Sequence, residues 1–376
     1  MAKRVLILSV SAGAGHLRAA EAMERAFHLV DPSLDVENYD MLDFTNQLFR
    51  RLYSKAYIDL ATKAPEFVGY LYDRLDRRAK NTDVGDGFRV AFDKLNTYRF
   101  VNYLKKNPPD AIVCTHFLPA EIISELKGRD KLDLPQVVIT TDFEAHRLWV
   151  YERVERYFVA TAEGKNYLMA LGVPDEIISV TGIPIDPRFA EKPDRAQLRR
   201  QLGLSGGSPI ILVLCGGFGM GPLENLVTQL LKLERPCQVV VVAGRNERLK
   251  ADLERLPPGE RHTLKVLGYT REMHHWMAAA DLLVSKPGGL TTSEALACGL
   301  PMVIVTPIPG QETRNSDFLL ENGAAIKANN LLTLRHKVED LLTDERRLNR
   351  LRASAASLGR PHAARTIARE VLQLCP

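Results

Sequence analysis

Short apolar runs that end in small or polar residues recur along the whole chain, and each is followed by a stretch of helical character. This alternation is typical of βα units, whose strands pair in parallel because each helix carries the chain back across the sheet. The predicted strands are residues 5–10, 111–114, 137–141, 157–160, 178–181, 210–215, 239–243, 263–266, 282–285 and 302–306. We therefore predict an α/β protein with two doubly wound, Rossmann-like sheets, one after the other.

A segment rich in proline and glycine, residues 184–208, separates the two predicted sheets and has the composition of an interdomain connection. The predicted domains are residues 1–183 and 209–350. Residues 351–376 are expected to form a helix that can pack back on the first domain. Ligands of open α/β sheets bind beyond the carboxyl ends of the strands, so the expected site is a cleft between two domains that face each other.

Residues 44–106 interrupt the alternation of strands and helices, because their sequence has helical character throughout and is rich in basic and aromatic residues. They hold 13 Lys and Arg against 7 Asp and Glu, and 12 of the 26 aromatic residues, so their excess of positive charge exceeds the net +4 of the whole chain. Basic, aromatic helices suit an anchor on an anionic membrane surface. The alternative is an ordinary helical insertion with a solvated basic face.

Bulk features favour a cytoplasmic protein that associates peripherally with the inner face of the membrane. The five cysteines are scattered without CxxC spacing, which predicts neither a disulfide framework nor a cysteine zinc site. The apolar run 5–10 is too short for a signal core, and no later run approaches the roughly 20 residues of a spanning helix. A net charge of +4 gives no support to a nucleic-acid partner.

The first loop follows a predicted strand and opens a helix, and it contains Gly13, Gly15 and His16. The glycines allow the backbone to pass close to a ligand at a helix N-terminus, and Gly15 is a candidate donor-binding residue. The loop is neither a Walker loop nor a good dinucleotide fingerprint, because Arg18 stands where a small residue is needed. His16 is our first candidate for a general base, and the alternative is a histidine that caps the helix.

A second glycine turn follows the first strand of the second domain and exposes amides that can hold a diphosphate. Its candidate donor-binding residues are Gly216, Gly217, Phe218, Gly219 and Met220.

A third block makes the pattern specific: residues 285–297 read SKPGGLTTSEALA, and residues 307–312 read PIPGQE. These blocks resemble glycosyltransferase family 28, and within it the monogalactosyl- and glucosyl-diacylglycerol synthases. The resemblance runs from the first strand to about residue 326. It implies a GT-B fold and a UDP-sugar donor used without a bound metal or other cofactor, and the chain contains no Asp-x-Asp triplet that would clamp a metal diphosphate.

The resemblance also implies roles for residues of the second domain. Glu294 would bind the ribose hydroxyls, while helix-start amides and hydroxyls would hold the diphosphate with the help of Lys286. Phe218 and Met220 would lie between donor and acceptor. The remaining donor residues would be Gly288, Gly289, Thr291 and Thr292 for the diphosphate, Gln311, Glu312 and Asn315 for the hexose, and Tyr269 and Thr270 for uracil.

On the acceptor side, residues 140–146 and Trp149 resemble a motif of the same family. Asp142 would orient His16 or replace it as the base, and His146 would face the acceptor. The chain departs from many relatives at Ala14, where they have a third glycine, and at Thr313, where some have a second acidic residue. These departures bear on the identity of the acceptor and the sugar.

The expected reaction is an inverting transfer of a hexose from a UDP-sugar to diacylglycerol or a glycosyl-diacylglycerol. A polyprenyl-linked or soluble acceptor is the alternative within this class. A nucleotide-binding dehydrogenase or binding module is the alternative from another class, because Glu37 and Asp40 lie near the distance at which a ribose-binding acid follows a dinucleotide loop.

Overall fold

The structure, a computed structural model, describes residues 2–11, 13–45, 50, 97–214 and 223–375. The chain forms two compact units. The first comprises Met1–Pro187, Pro309–Gln311 and His362–Pro376, and the second comprises Arg188–Ile308 and Glu312–Pro361. Each unit contains one six-stranded sheet, so the predicted pair of doubly wound sheets is confirmed.

The sheet of the first unit has the strand order β2-β1-β3-β4-β5-β6, and its strands pair in parallel. Buried side chains cover both of its faces, as expected for a parallel sheet between helices. Its strands are β1 (Arg4–Ser9), β2 (Asp35–Asp40), β3 (Ala111–Cys114), β4 (Gln136–Ile139), β5 (Arg156–Val159) and β6 (Ile178–Val180), and its helices are α1 (Ala14–Val30), α2 (Thr97–Lys106), α3 (Phe117–Gly128), α4 (Ala162–Ala170) and α13 (Ala363–Leu374).

The sheet of the second unit has the order β12-β11-β10-β7-β8-β9, with β7 and β10 as neighbours at its centre. Its strands are β7 (Ile210–Leu214), β8 (Gln238–Val242), β9 (Thr263–Leu267), β10 (Leu282–Ser285), β11 (Met302–Val305) and β12 (Ala325–Ala328). The helices along this part of the chain are α5 (Arg195–Gln201), α6 (Leu223–Leu230), α7 (Glu247–Glu254), α8 (Met273–Ala279), α9 (Gly289–Ala297), α10 (Gln311–Glu321), α11 (Leu331–Thr343) and α12 (Glu345–Leu358).

The sequence interpretation missed two strands, β2 and β12, and both lie at the edge of a sheet. An edge strand has a neighbour on one side only and is less buried, so it tolerates polar residues that a central strand excludes. The sequence of β2 is DVENYD and that of β12 is AIKA. β2 has no continuous apolar run, and β12 is a four-residue segment interrupted by Lys327.

The end of the chain forms two helices rather than one. α12 belongs to the second unit, whereas α13 packs against α1 in the first unit and buries Ile367 and Val371. Polar contacts hold the C-terminal half of α13: Ser179 donates to Glu370 at 2.7 Å, and Lys3 Nζ donates to the carbonyl of Cys375 at 3.0 Å.

Most of the predicted basic and aromatic insertion lies outside the described residues. Its two described ends and β2 contribute to a cluster of aromatic side chains, in which ring centroids lie 5.1–5.6 Å apart. The cluster consists of Tyr39, Phe44, Phe100 and Tyr103. The two ends of the insertion therefore meet beside β2.

Gly359, which ends α12, allows this helix to approach the end of α9 closely. A Cβ atom at Gly359 would lie 2.5 Å from the backbone oxygen of Leu296, a separation that real Cβ atoms do not show. We expect Gly359→Ala to lower the urea-unfolding midpoint of the full chain, at a cost of about 1–3 kcal/mol. Gly207→Ala is the matched control, because a Cβ atom at Gly207 meets no atom of the structure within 4 Å. Equal midpoints for the two variants would contradict this prediction.

Candidate active site

His16 lies in the first turn of α1, beyond the carboxyl end of β1. Its Nδ1 atom is 2.9 Å from the backbone oxygen of Thr115 and 3.0 Å from the hydroxyl of Thr141. Gly13 is the N-cap residue of α1 and the helix has no side-chain cap, so His16 does not have the capping role that was its structural alternative. Parallel pairing of β1 with β3 brings Thr115 to the histidine.

These contacts determine which ring nitrogen of His16 can accept a proton. A carbonyl oxygen only accepts hydrogen bonds, so Nδ1 must carry the hydrogen that it donates to Thr115. In the neutral ring Nε2 then has the free lone pair. Burial lowers the pKa of His16 to about 4, against a smaller opposing effect of the Thr115 hydrogen bond. The ring is therefore neutral at pH 7, with Nε2 as a proton acceptor.

Two buried rings pack around His16. The centroid of His116 lies 4.5 Å away in an edge-to-face arrangement, and that of Trp149 lies 6.3 Å away. His116 Nδ1 accepts a hydrogen bond from the amide of Leu118, and burial, followed by the nearby His16, lowers the pKa of His116. Both imidazoles therefore stay neutral. His16 carries its hydrogen on Nδ1, whereas His116 carries its hydrogen on Nε2.

The predicted acceptor-side residues lie between β4 and β5 in the same unit. His146 and Trp149 are buried, and His146 Nδ1 accepts the amide of Leu148, so this histidine caps the short 3₁₀ helix Arg147–Trp149. Asp142 is half-buried just beyond the end of β4. The structure thus brings Trp149 to the ring of His16 and uses His146 to shape the loop that holds this tryptophan.

In the second unit Lys286 and Glu312 form an ion pair. Lys286 Nζ lies 2.6 Å from one carboxylate oxygen of Glu312, and the other oxygen accepts the amide of Ile308 at 2.9 Å. Their side chains are 19% and 12% exposed, so water screens the pair only partly. A Cβ atom at Gly288 would lie 3.7 Å from the same carboxylate, which places the pair beside the start of α9.

The start of α9 offers backbone amides without a competing side-chain cap, because Gly288 is its N-cap residue. Gly289 and Thr292 are buried, and Thr292 Oγ1 has no hydrogen-bond partner in the part of the chain that the structure describes. Thr291 and Glu294 are half-buried on the same helix. On α10, Asn315 is buried and Gln311 is half-buried.

The turn after β9, where the sequence predicts the uracil site, presents an exposed aromatic ring. Tyr269 is 47% exposed, and the guanidinium carbon of Arg245 lies 4.9 Å from the centre of its ring. Thr270 uses its hydroxyl to accept the amide of Glu272 at 3.0 Å. The second glycine turn, with Gly216, Gly217, Phe218, Gly219 and Met220, lies outside the described residues.

Sequence reasoning missed Thr115, His116 and Arg245, and it did not foresee that Thr141, inside the predicted acceptor-side motif, contacts His16. Thr115, His116 and Arg245 belong to no recognisable motif, and only strand pairing and turn packing bring them to the predicted residues. Glu37 and Asp40, the two acids on which the alternative of a dehydrogenase depended, both have structural partners. Glu37 pairs with Arg4 at 2.6 Å, and Asp40 accepts the amide of Leu42 at 3.0 Å.

Comparisons with known proteins identify the family. A model described as "Monogalactosyldiacylglycerol (MGDG) synthase" matches residues 16–185, and one described as "Glycosyl transferases group 1" matches residues 194–357. A processive diacylglycerol beta-glucosyltransferase of Bacillus subtilis is 30% identical over 99% of this chain and 95% of its own length. The chain belongs to the diacylglycerol glycosyltransferases of family 28. A protein of the same name from Bacillus pumilus is 29% identical to the chain described here, over 99% of this chain and 95% of its own length.

Solved structures share the GT-B fold of the transferase. MurG of Acinetobacter baumannii has a TM-score of 0.64 at 18% identity, covering 99% of both chains. Anabaena HepE in complex with UDP-glucose has a TM-score of 0.55 at 14% identity, covering 98% of this chain and 99% of its own. Among the described residues, no helix has both the length and the apolar character needed to span a bilayer.

Proposed function

We propose that the enzyme moves a hexose from a UDP-sugar to diacylglycerol or a glycosyl-diacylglycerol, with inversion at the anomeric carbon and without a metal ion. The observation that carries this proposal is the similarity, along nearly the whole chain, to proteins named as processive diacylglycerol beta-glucosyltransferases. Relatives of this kind exist in several Bacillus and Staphylococcus species.

His16 is the proposed base. The acceptor hydroxyl gives its proton to Nε2 while its oxygen forms a bond to the anomeric carbon, and the bond from that carbon to the UDP oxygen breaks. Support for this role comes from the Nδ1 hydrogen bond to Thr115, which leaves Nε2 unprotonated. Asp142 remains the alternative base, and the rings of Trp149 and His116 limit how far the imidazole can turn.

UDP is proposed to bind to the second unit, where a helix N-terminus and a lysine stabilise the charge that develops on the leaving group. The amides at the start of α9 would hold the diphosphate, and Glu294 would accept hydrogen bonds from the ribose. Lys286 and Glu312 act together in this proposal. The carboxylate fixes the ammonium beside Gly288 and keeps an oxygen near the place proposed for the hexose.

A direct test incubates the full chain with diacylglycerol vesicles and each UDP-hexose in turn, with and without EDTA. We expect a glycosyl-diacylglycerol from one of these donors, unchanged by EDTA and with the anomeric configuration opposite to that of the donor. A glycosylated product only with a polyprenyl-linked or soluble acceptor would reject diacylglycerol. A loss of product in EDTA would reject the metal-free mechanism.

Attachment to the inner face of the membrane is proposed from the charge and aromatic content of residues 44–106. The test is flotation of the protein with vesicles that contain or lack anionic lipid, at low and high salt. We expect flotation with anionic vesicles at low salt, and its absence there would contradict a membrane-bound acceptor.

The pH dependence of kcat/KM follows from the environment of His16. Burial lowers the pKa of this histidine to about 4, so its proton-accepting form is lost only as the pH falls through that value. We expect kcat/KM to stay level from pH 8 to well below the ordinary histidine pKa of about 6.5. An acid limb centred on that ordinary value would contradict the assignment of His16, in this environment, as the base.

A further inference from the structure

We propose that the second unit contains a binding site for a divalent transition-metal ion of the zinc class, formed by His274, His275 and Glu191. The two histidines are consecutive residues at the start of α8, and Glu191 follows the short 3₁₀ helix Pro187–Ala190. Each residue offers one ligand atom, and the three atoms lie within 4.8 Å of one another. This site takes no part in the proposed sugar transfer.

The three atoms, which lie within 4.8 Å of one another, are more widely spaced than the ligand atoms of an occupied site. A tetrahedral zinc ion with bonds of about 2.0–2.1 Å holds its ligand atoms about 3.3 Å apart. Glu191 is exposed and His275 is half-buried, so both can make the small rotations that close the remaining gap. The exposure of Glu191 also gives the ion a path from solvent.

The donor set indicates which ions the site would take. Two imidazole nitrogens and one carboxylate oxygen are ligands that zinc and its neighbours in the first transition row prefer, whereas magnesium and calcium prefer sites made of oxygen. A set of three protein ligands leaves the fourth position of a tetrahedral ion to water.

The carboxylate of Glu272 lies beside the two histidines. Its Oε2 atom lies 3.1 Å from Nδ1 of His275 and 3.6 Å from Nε2 of His274. Histidines that bind metals commonly use their second ring nitrogen to bond a carboxylate, which fixes the ring and makes it a better ligand. With Nδ1 facing Glu272, His275 has Nε2 available for the ion. Arg188 pairs with the other oxygen of Glu272 at 3.3 Å, so this carboxylate offsets the nearby positive charge.

An ion at this position would join the segment around residue 191 to the helix that follows the Tyr269 turn. It would bind the folded second unit and have no equivalent site in the unfolded chain. Binding should therefore raise the thermal midpoint of the protein, and the rise should grow with the logarithm of the free ion concentration once that exceeds the Kd.

The test uses the full chain, freed of any purification tag and treated with a chelator, and titrates it with Zn²⁺ in competition with a chromophoric chelator. We expect the wild type to bind a single equivalent. His275→Ala and Glu191→Ala should each weaken binding at least about tenfold, and Glu272→Gln should weaken it by about tenfold. The control is His336→Ala, which removes an exposed histidine that lies 3.3 Å from Asp340 on its own helix and should change nothing.

Circular dichroism establishes that each variant is folded, and Glu191→Ala keeps the test decisive because this exposed residue packs in no core. A thermal midpoint that rises with Zn²⁺ in the wild type and in His336→Ala, but not in Glu191→Ala, would support the site. No stoichiometric binding by the wild type, or equal affinity in all the variants, would overturn it.

Discussion

Replacing His16 with alanine is expected to lower kcat by roughly 10²–10⁴-fold, the range usual for the loss of a general base. The acceptor hydroxyl would then have no group to take its proton as it attacks the anomeric carbon. UDP affinity should stay unchanged, because His16 and its hydrogen-bond partners lie in the first unit, whereas the proposed UDP residues lie in the second. The measurement combines kcat with diacylglycerol vesicles and calorimetric titration of UDP.

His28→Ala is the matched control for this prediction, since His28 is an exposed histidine near the other end of α1. It should retain full activity. If His16→Ala loses UDP binding and keeps its turnover, the assignment of the base is wrong. If Asp142→Asn causes the larger loss of kcat, Asp142 is the base and His16 only positions it.

Removing the carboxylate of Glu312 should have the largest effect in the second unit. Glu312→Ala leaves the ammonium of Lys286 partly buried without its partner and frees the amide of Ile308, which we expect to cost about 3 kcal/mol of stability. It should also lower kcat/KM for the UDP-sugar strongly. Urea unfolding and steady-state kinetics measure the two effects separately.

A double variant separates the structural from the functional part of this loss. In Lys286→Met/Glu312→Leu no buried charge is left unpaired, so most of the stability should return. Use of the donor should not return, because both groups proposed to face it are gone. A double variant that regains its kcat/KM would show that the pair serves stability alone.

The buried strands could be predicted from the sequence because a parallel sheet covered on both faces requires continuous apolar runs, such as VVVV at residues 239–242. An edge strand can escape this rule, as β2 does with its acidic residues on a half-exposed edge. The positions of candidate site residues were predictable for the same reason, because they follow buried strands. His16 lies beyond the carboxyl end of β1, and Lys286 directly follows β10.

Contacts between distant parts of the chain could not be predicted in this way. Thr115 reaches His16 because β3 pairs with β1 and not with its sequence neighbour β2, and a single sequence does not reveal that order. The stacking of Arg245 on Tyr269 depends on how two separate turns pack. The roles of the donor and acceptor residues stay predictions.

A crystal structure of the full chain with UDP tests the proposed donor site most directly. We predict density for the nucleotide in the second unit, with the ribose hydroxyls bonded to the carboxylate of Glu294 and the diphosphate at the first amides of α9. Density for UDP at any other place, with the surface around Glu294 unchanged, would contradict it.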